Sequence, residues 1–220
     1  MLMQNSTFWS NKKRSCYIEE NLYPGTKDLA GHYEEFATSD RIRHGQSMYN
    51  FTTDTTNTNF DIGVYGSVYL FSEFLSSGAG DDVFSGIHSY WRTSYSPSLD
   101  EAEAIVNSVP SSFKNKVDNI VDYGNVIRFA DPDEEWMSKL TLDFYLSLLK
   151  PDGSSPEAFD KVRAQTLLYD EINPADIEGG GRVVAALRDG EFKFPTDADR
   201  GLVYVGLNRN FEIVTEIVVR

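Results

Sequence analysis

The chain has 220 residues, 40% of them hydrophobic and 25% charged, with 14 Phe, 12 Tyr and 3 Trp. That is enough for one domain, or one domain with a small appendage, and too rich in apolar and aromatic side chains for a disordered polymer. Twenty Lys+Arg against 34 Asp+Glu leave a formal net charge of −14, which disfavours nucleic-acid phosphates and anionic membranes and suits a basic partner or a bound cation. The single cysteine, Cys16, excludes an internal disulfide and a cysteine-based zinc cage.

The first ten residues contain no apolar stretch long enough for a secretory signal, and Lys12-Lys13-Arg14 comes after the apolar residues instead of before them. No run approaches the ~20 apolar residues that span a bilayer. The expectation is a protein that stays in the cytoplasm as written, or is extracellular if the chain is a fragment of a longer secreted precursor.

In chain order, residues 50–59 form a Thr/Asn-rich polar loop whose side chains compete for backbone hydrogen bonds. Residues 62–76 place Tyr65, Val68, Tyr69, Leu70, Phe71, Phe74 and Leu75 at recurring spacings of three and four, which predicts a buried helix ended by Gly78-Ala-Gly80. Asp81-Asp82 opens a second helix carrying Val83, Phe84, Ile87 and Trp91, with its acids at the positive end of the dipole. Ser98-Leu-Asp-Glu101 has the form of a capping box before a short helix through Ala104, Ile105 and Val106 that Pro110 stops. Ser111 or Ser112 starts another, with Phe113, Val117, Ile120 and Val121 on one face. Asp133-Glu-Glu135 starts a longer one through Trp136, Leu140, Leu142, Phe144, Leu146 and Leu149. A break at 150–156 ends in Ser155-Pro156, an N-cap followed by proline. Glu178-Gly-Gly-Gly181 reads as a hinge, after which β-branched and aromatic residues dominate and Asp189-Gly190 and Asn208-Arg-Asn210 signal turns. The predicted fold is α+β: a helical body over residues 1–176 followed by a small antiparallel β appendage over 181–220.

Candidate chemistry is sparse. The three histidines, His32, His44 and His88, are never four residues apart, so the chain holds no HExxH helix. His32 and Glu35 share one helical pair, which a polar surface face also explains. His88, among Phe84, Ile87 and Trp91, is expected to be partly buried and hydrogen-bonded. Cys16 next to Arg14 lacks the context of a nucleophile, and neither a Gly-x-Ser-x-Gly elbow nor a phosphate loop occurs. Asp131-Pro-Asp-Glu-Glu135 lacks the glycine and distal glutamate of a calcium loop and is expected to open a helix; Asp197-Ala-Asp199 is expected in a turn. Trp91-Arg-Thr-Ser-Tyr95 is a candidate carbohydrate or peptide patch, weighed against core packing at a helix end.

Two groups of residues carry a resemblance. The first is Tyr65-Gly-Ser-Val-Tyr-Leu-Phe-Ser-Glu-Phe-Leu75, then Gly80-Asp-Asp-Val-Phe-Ser-Gly-Ile87, a short helix at 99–108, the Ser-Phe at 112–113 and a β-rich tail. The second is Cys16-Tyr-Ile-Glu-Glu20 followed by Lys27-Asp-Leu-Ala-Gly31. Together they resemble the region downstream of the zinc motif in HExxH metallopeptidases of the hyicolysin and gluzincin kind. The resemblance implies that Glu20 matches the family's third zinc ligand and Asp28 a supporting carboxylate on the same helix face. Pro24-Gly25 departs from the pattern by interrupting that helix, and the HExxH itself is missing from the 19 residues before Glu20. One carboxylate cannot hold zinc or generate a nucleophilic water. The expectation is therefore a metallopeptidase-like domain, inactive alone, as a fragment or a degenerate relative, with no cofactor in this chain alone and zinc only if an upstream HExxH segment completes it. The alternative is an acidic module, such as an immunity or inhibitor protein, that binds a basic protein or peptide and neither nucleic acid nor membrane.

Overall fold

The computed structural model describes residues 29–49, 63–93, 101–124, 127–149, 162–163, 165–168, 172–187, 201–210, 212–214 and 218–219. The chain is a mainly helical α+β structure. Its described helices, numbered in chain order, are α1 (Leu29–Thr38), α2 (Asp40–Arg43), α3 (Gly63–Ala79), α4 (Val83–Thr93), α5 (Glu101–Ser108), α6 (Ser111–Asp118) and α7 (Pro132–Ser147). The short described strands are β1 (Leu167–Leu168), β2 (Ala185–Ala186), β3 (Val203–Tyr204) and β4 (Val218–Val219).

The long apolar helix forms where its periodicity places it, and it buries Val64, Val68, Tyr69, Leu70, Phe71 and Leu75. Gly80 closes it at φ 90°, a conformation that costs an L side chain dearly, and its N–H donates to the Ser76 carbonyl. The Ser76 hydroxyl donates in turn to Asp81 at 2.5 Å, fixing the corner into α4. On α7 the first carboxylate is the cap: Asp131 accepts from the Asp133 N–H at 2.8 Å, with Pro132 next, where a missing N–H costs nothing. α6 ends at Asp118, yet Val121 beyond it is still buried.

α1 packs on α3, α4 on α5, and both α5 and α6 on α7. At the centre, the rings of Phe71 and Phe144 meet edge-on at 5.2 Å and 89°, with Phe74 5.7 Å from Phe144 and 6.1 Å from Phe113. Such contacts add about 0.5–1.5 kcal/mol per pair to the burial itself. One carboxylate sits inside this wall. Asp143 of α7 is 3% exposed and accepts from Lys116 Nζ at 2.9 Å, while the Lys116 ammonium lies 5.8 Å from the Phe113 ring and 6.0 Å from that of Phe74.

The β part differs in arrangement from a single antiparallel meander. β2 pairs in parallel with β1, Leu167 opposite Ala185 and Leu168 opposite Ala186. β3 and β4 pair antiparallel, and a bridge from Leu207 to Ile213 closes around the Asn208-Arg-Asn210 turn, where the Asn208 side chain accepts from the N–H groups of Asn210 and Glu212. Val184, Val205 and Leu207 pack against the helical core. The expected turn at Asp189-Gly190, the alternation at 191–194, the loop at 50–59, the break at 150–156 and the capping box before Glu101 lie outside the described residues.

Candidate functional site

The most unusual chemistry in the fold is a polar seam between the helical core and the segment just after the triple glycine. α1 contributes Phe36, which is fully buried; α7 contributes Thr141 and Tyr145; the turn before β1 contributes Gln165, also fully buried; and the last contributor is Arg182. The Gln165 side chain bridges two of them. Its Nε2 donates to the Phe36 carbonyl, and its Oε1 accepts from Arg182 Nη2. The Arg182 Cζ lies 5.1 Å from the Phe36 ring centre and 5.4 Å from that of Tyr145. A guanidinium in this position is attracted by the negative faces of both rings.

Residues 178–182 form a strap across the loop after α2. The Glu178 N–H donates to the Gly45 carbonyl at 3.0 Å, and its carboxylate accepts from the Ser47 N–H at 2.8 Å. The Gly181 N–H returns to the Glu178 carbonyl at 2.8 Å, and the Tyr145 hydroxyl donates to the Gly180 carbonyl at 2.9 Å. Beneath it, Tyr49 joins the loop to α7 by a 2.6 Å hydrogen bond to the Thr141 hydroxyl, whose own proton goes to the Met137 carbonyl. The triple glycine, expected as a hinge, is here a close-packed contact. A Cβ on Gly181 would overlap the Gly45 carbonyl oxygen, and one on Gly180 would stand 2.8 Å from the Tyr49 ring in a backbone already at φ 79°.

The electrostatics of the seam are set by exclusion of water. Arg182 is half-buried as a residue, but its Nε and Nη1 are shut off from solvent and have no hydrogen-bond partner among the described residues. Burial pulls its pKa down to about 10, against a smaller upward pull from Tyr145. Burial pushes the Tyr145 phenol up to about 12, opposed by the nearby Arg182 charge. Among the described residues the hydrogen-bond acceptor of this cation is thus a neutral amide, not a carboxylate.

The residues singled out from sequence fare differently. Glu20, Asp28 and Cys16 lie outside the described residues, as do Asp197 and Asp199. His32 falls on α1 and Trp91 on α4, where only the backbone is described; Glu35 is half-buried on α1. His88 is exposed on α4, so the expectation of a partly buried histidine is corrected: it falls on the outer side of a helix that buries Val83. His44 caps α2, its Nδ1 2.7 Å from the Asp40 carbonyl. Asp131–Glu135 opens α7 as expected. Among the described residues no three His, Cys, Asp or Glu side chains come together in a group able to hold a metal ion, so those residues do not by themselves fit zinc. No helix among the described residues is long and apolar enough to cross a membrane.

Sequence reasoning passes over Arg182, Gln165 and Tyr145, and reads Glu178 only as the start of a hinge. The available signal is a charged residue directly after three glycines and before the apolar run Val183-Val-Ala-Ala-Leu187, because glycines let backbones approach closely and so bury the neighbouring side chain. No family model matches this chain, and neither do any curated protein or solved structure.

Proposed function

We propose that the chain is a metallopeptidase-like helical domain that lacks the HExxH motif and does not hydrolyse peptides alone. The observation that supports this reading is the helical succession itself. A long apolar helix, α3, is closed by Gly80; Asp81-Asp82 leads into α4; a short α5 comes next; and α6 opens at Ser111-Ser112-Phe113. This is the order the resemblance implies. In this reading Glu20 is the third ligand of a zinc ion whose two histidines must come from an upstream segment, and Asp28 supports it. The test is zinc titration and a peptide-cleavage assay on the 220-residue chain. The expected result is no stoichiometric tight zinc and no cleavage; cleavage that a chelator abolishes would overturn it.

A second reading, an acidic module for a basic protein or peptide, is favoured by the charge of −14 and by Asp81, Asp82, Asp118, Asp122 and Asp131, all of which are exposed. Electrostatic steering would make such association fast and salt-sensitive. A pulldown at low and high salt separates the readings: a basic partner retained at low salt and lost at high salt supports the second, and none at low salt removes it.

A further inference from the structure

We propose that residues 178–182 are a latch: they open together while the helical body stays folded, and the opening uncovers the Tyr49 ring and brings the Arg182 guanidinium to water. The closed strap is tied to the body by individual hydrogen bonds. The Glu178 N–H donates to the Gly45 carbonyl at 3.0 Å, the Ser47 N–H to the Glu178 carboxylate at 2.8 Å, and the Tyr145 hydroxyl to the Gly180 carbonyl at 2.9 Å. Such a bond shifts an equilibrium by only about fivefold net, because water replaces it on opening. The strap also lacks the apolar burial that holds α3 and α7. Gly179 and Gly180 are exposed and carry no side chain, whereas Val68, Phe71, Leu140 and Phe144 are buried. Segments with few buried apolar contacts and solvent-exposed hydrogen bonds are the ones that open locally.

Two features oppose these ties. The first is the glycine run. The closed form requires it, since a Cβ on Gly181 would overlap the Gly45 carbonyl oxygen and one on Gly180 would stand 2.8 Å from the Tyr49 ring. The same missing Cβ atoms give the open strap the largest gain in backbone freedom that any residue type allows. The second is Arg182. Closed, its Nη2 donates to the neutral Gln165 amide, while Nε and Nη1 are shut off from solvent with no partner among the described residues; open, water supplies acceptors to all of them. The opening has natural limits. Beyond Arg182 the Leu167 N–H holds the Val184 carbonyl at 2.9 Å, and Val184 packs on the helical core. The ring contacts of Phe71, Phe74 and Phe113 with one another and with Phe144 use no strap residue, so the body keeps its centre when the strap lifts. The latch is independent of both functional readings above, and any of the three can fail without the others.

The experiment is native-state amide hydrogen exchange of the full chain at low denaturant, read residue by residue where the rate reports the opening equilibrium. The N–H groups of Ser47, Glu178 and Gly181 are all bonded within the latch. They are expected to share one opening equilibrium, larger and less dependent on denaturant than that of the slowest amides of α7. Tyr145→Phe should speed all three by about fivefold, the effect of one lost hydrogen bond. Reaction of Arg182 with phenylglyoxal, mapped by peptide, should rise by the same factor. Ile105→Val leaves a small cavity in the buried face of α5, so it should speed the slowest α7 amides by about 2- to 12-fold and leave the three latch amides unchanged. Latch amides that open by different equilibria, that fail to respond to Tyr145→Phe, or that move together with α7 in Ile105→Val would overturn the proposal. So would latch amides that speed up in Tyr145→Phe while the reactivity of Arg182 stays the same.

Discussion

The wall of rings around Phe144 and the seam around Arg182 are both buried, lie against the same helix α7, and obey different rules. The first is apolar and periodic. Phe71, Phe74, Phe113 and Phe144 fill space by volume, and any one of them contributes through area removed from water. The second is polar and specific. Gln165, Tyr145, Glu178 and Arg182 contribute through particular donors and acceptors, and each is dispensable only if its partner is removed with it. By that contrast α7 works as a divider: Phe144 faces a core filled by ring volume, with the Asp143–Lys116 ion pair beside it, while Tyr145, one residue on, faces a seam built from hydrogen bonds.

The largest damage is expected at the apolar end. Phe144→Ala should cost about 3–5 kcal/mol, the range for removing a fully buried aromatic side chain and leaving a cavity, as measured by denaturant unfolding. Next is the strap. Gly181→Ala forces a methyl group onto the Gly45 carbonyl and should cost about 1–3 kcal/mol, as overpacking usually does, with protease sensitivity rising near residues 178–182.

Smaller, but sharper, is Tyr145→Phe. At pH 8 it removes one hydrogen bond to Gly180 and should cost about 1 kcal/mol. The folded phenol titrates near 12 and the unfolded one near 10, so its contribution is complete below pH 10 and lost as pH rises through 12. Arg182 has the opposite sign: its folded pKa, about 10, is below its unfolded value, so its burial penalty is full below pH 10 and relieved as pH rises above it. Unfolding at pH 8 and pH 11 should therefore show the deficit of Tyr145→Phe shrinking at the higher pH. A deficit that grows with pH would contradict the burial of Tyr145.

The same division explains what could be read from the sequence. α3 announces itself because Val68, Phe71 and Leu75 repeat at helical spacing, and α7 because Asp131 and Pro132 mark its start before Trp136, Leu140 and Phe144 repeat. The resemblance drawn from Tyr65 to Ile87 rests on the same periodic residues. The seam has no period. Phe36, Gln165 and Arg182 stand 129 and 17 residues apart along their hydrogen-bonded steps, and a lone Gln or Arg carries no pattern that foretells its neighbours. The parallel pairing of Leu167 with Ala185 escapes for the same reason, since two-residue strands leave no alternation to see.

The claim on which the seam rests is that Arg182 lacks an anion, and Gln165→Glu tests it by sign. Placing a carboxylate where the neutral amide now accepts should raise the unfolding free energy by about 1 kcal/mol, since a charge-assisted bond outweighs the lost donation to the Phe36 carbonyl. A loss of stability in that variant at neutral pH as large as that of Gln165→Ala, which also removes the donation to the Phe36 carbonyl, would contradict the picture of an uncompensated cation.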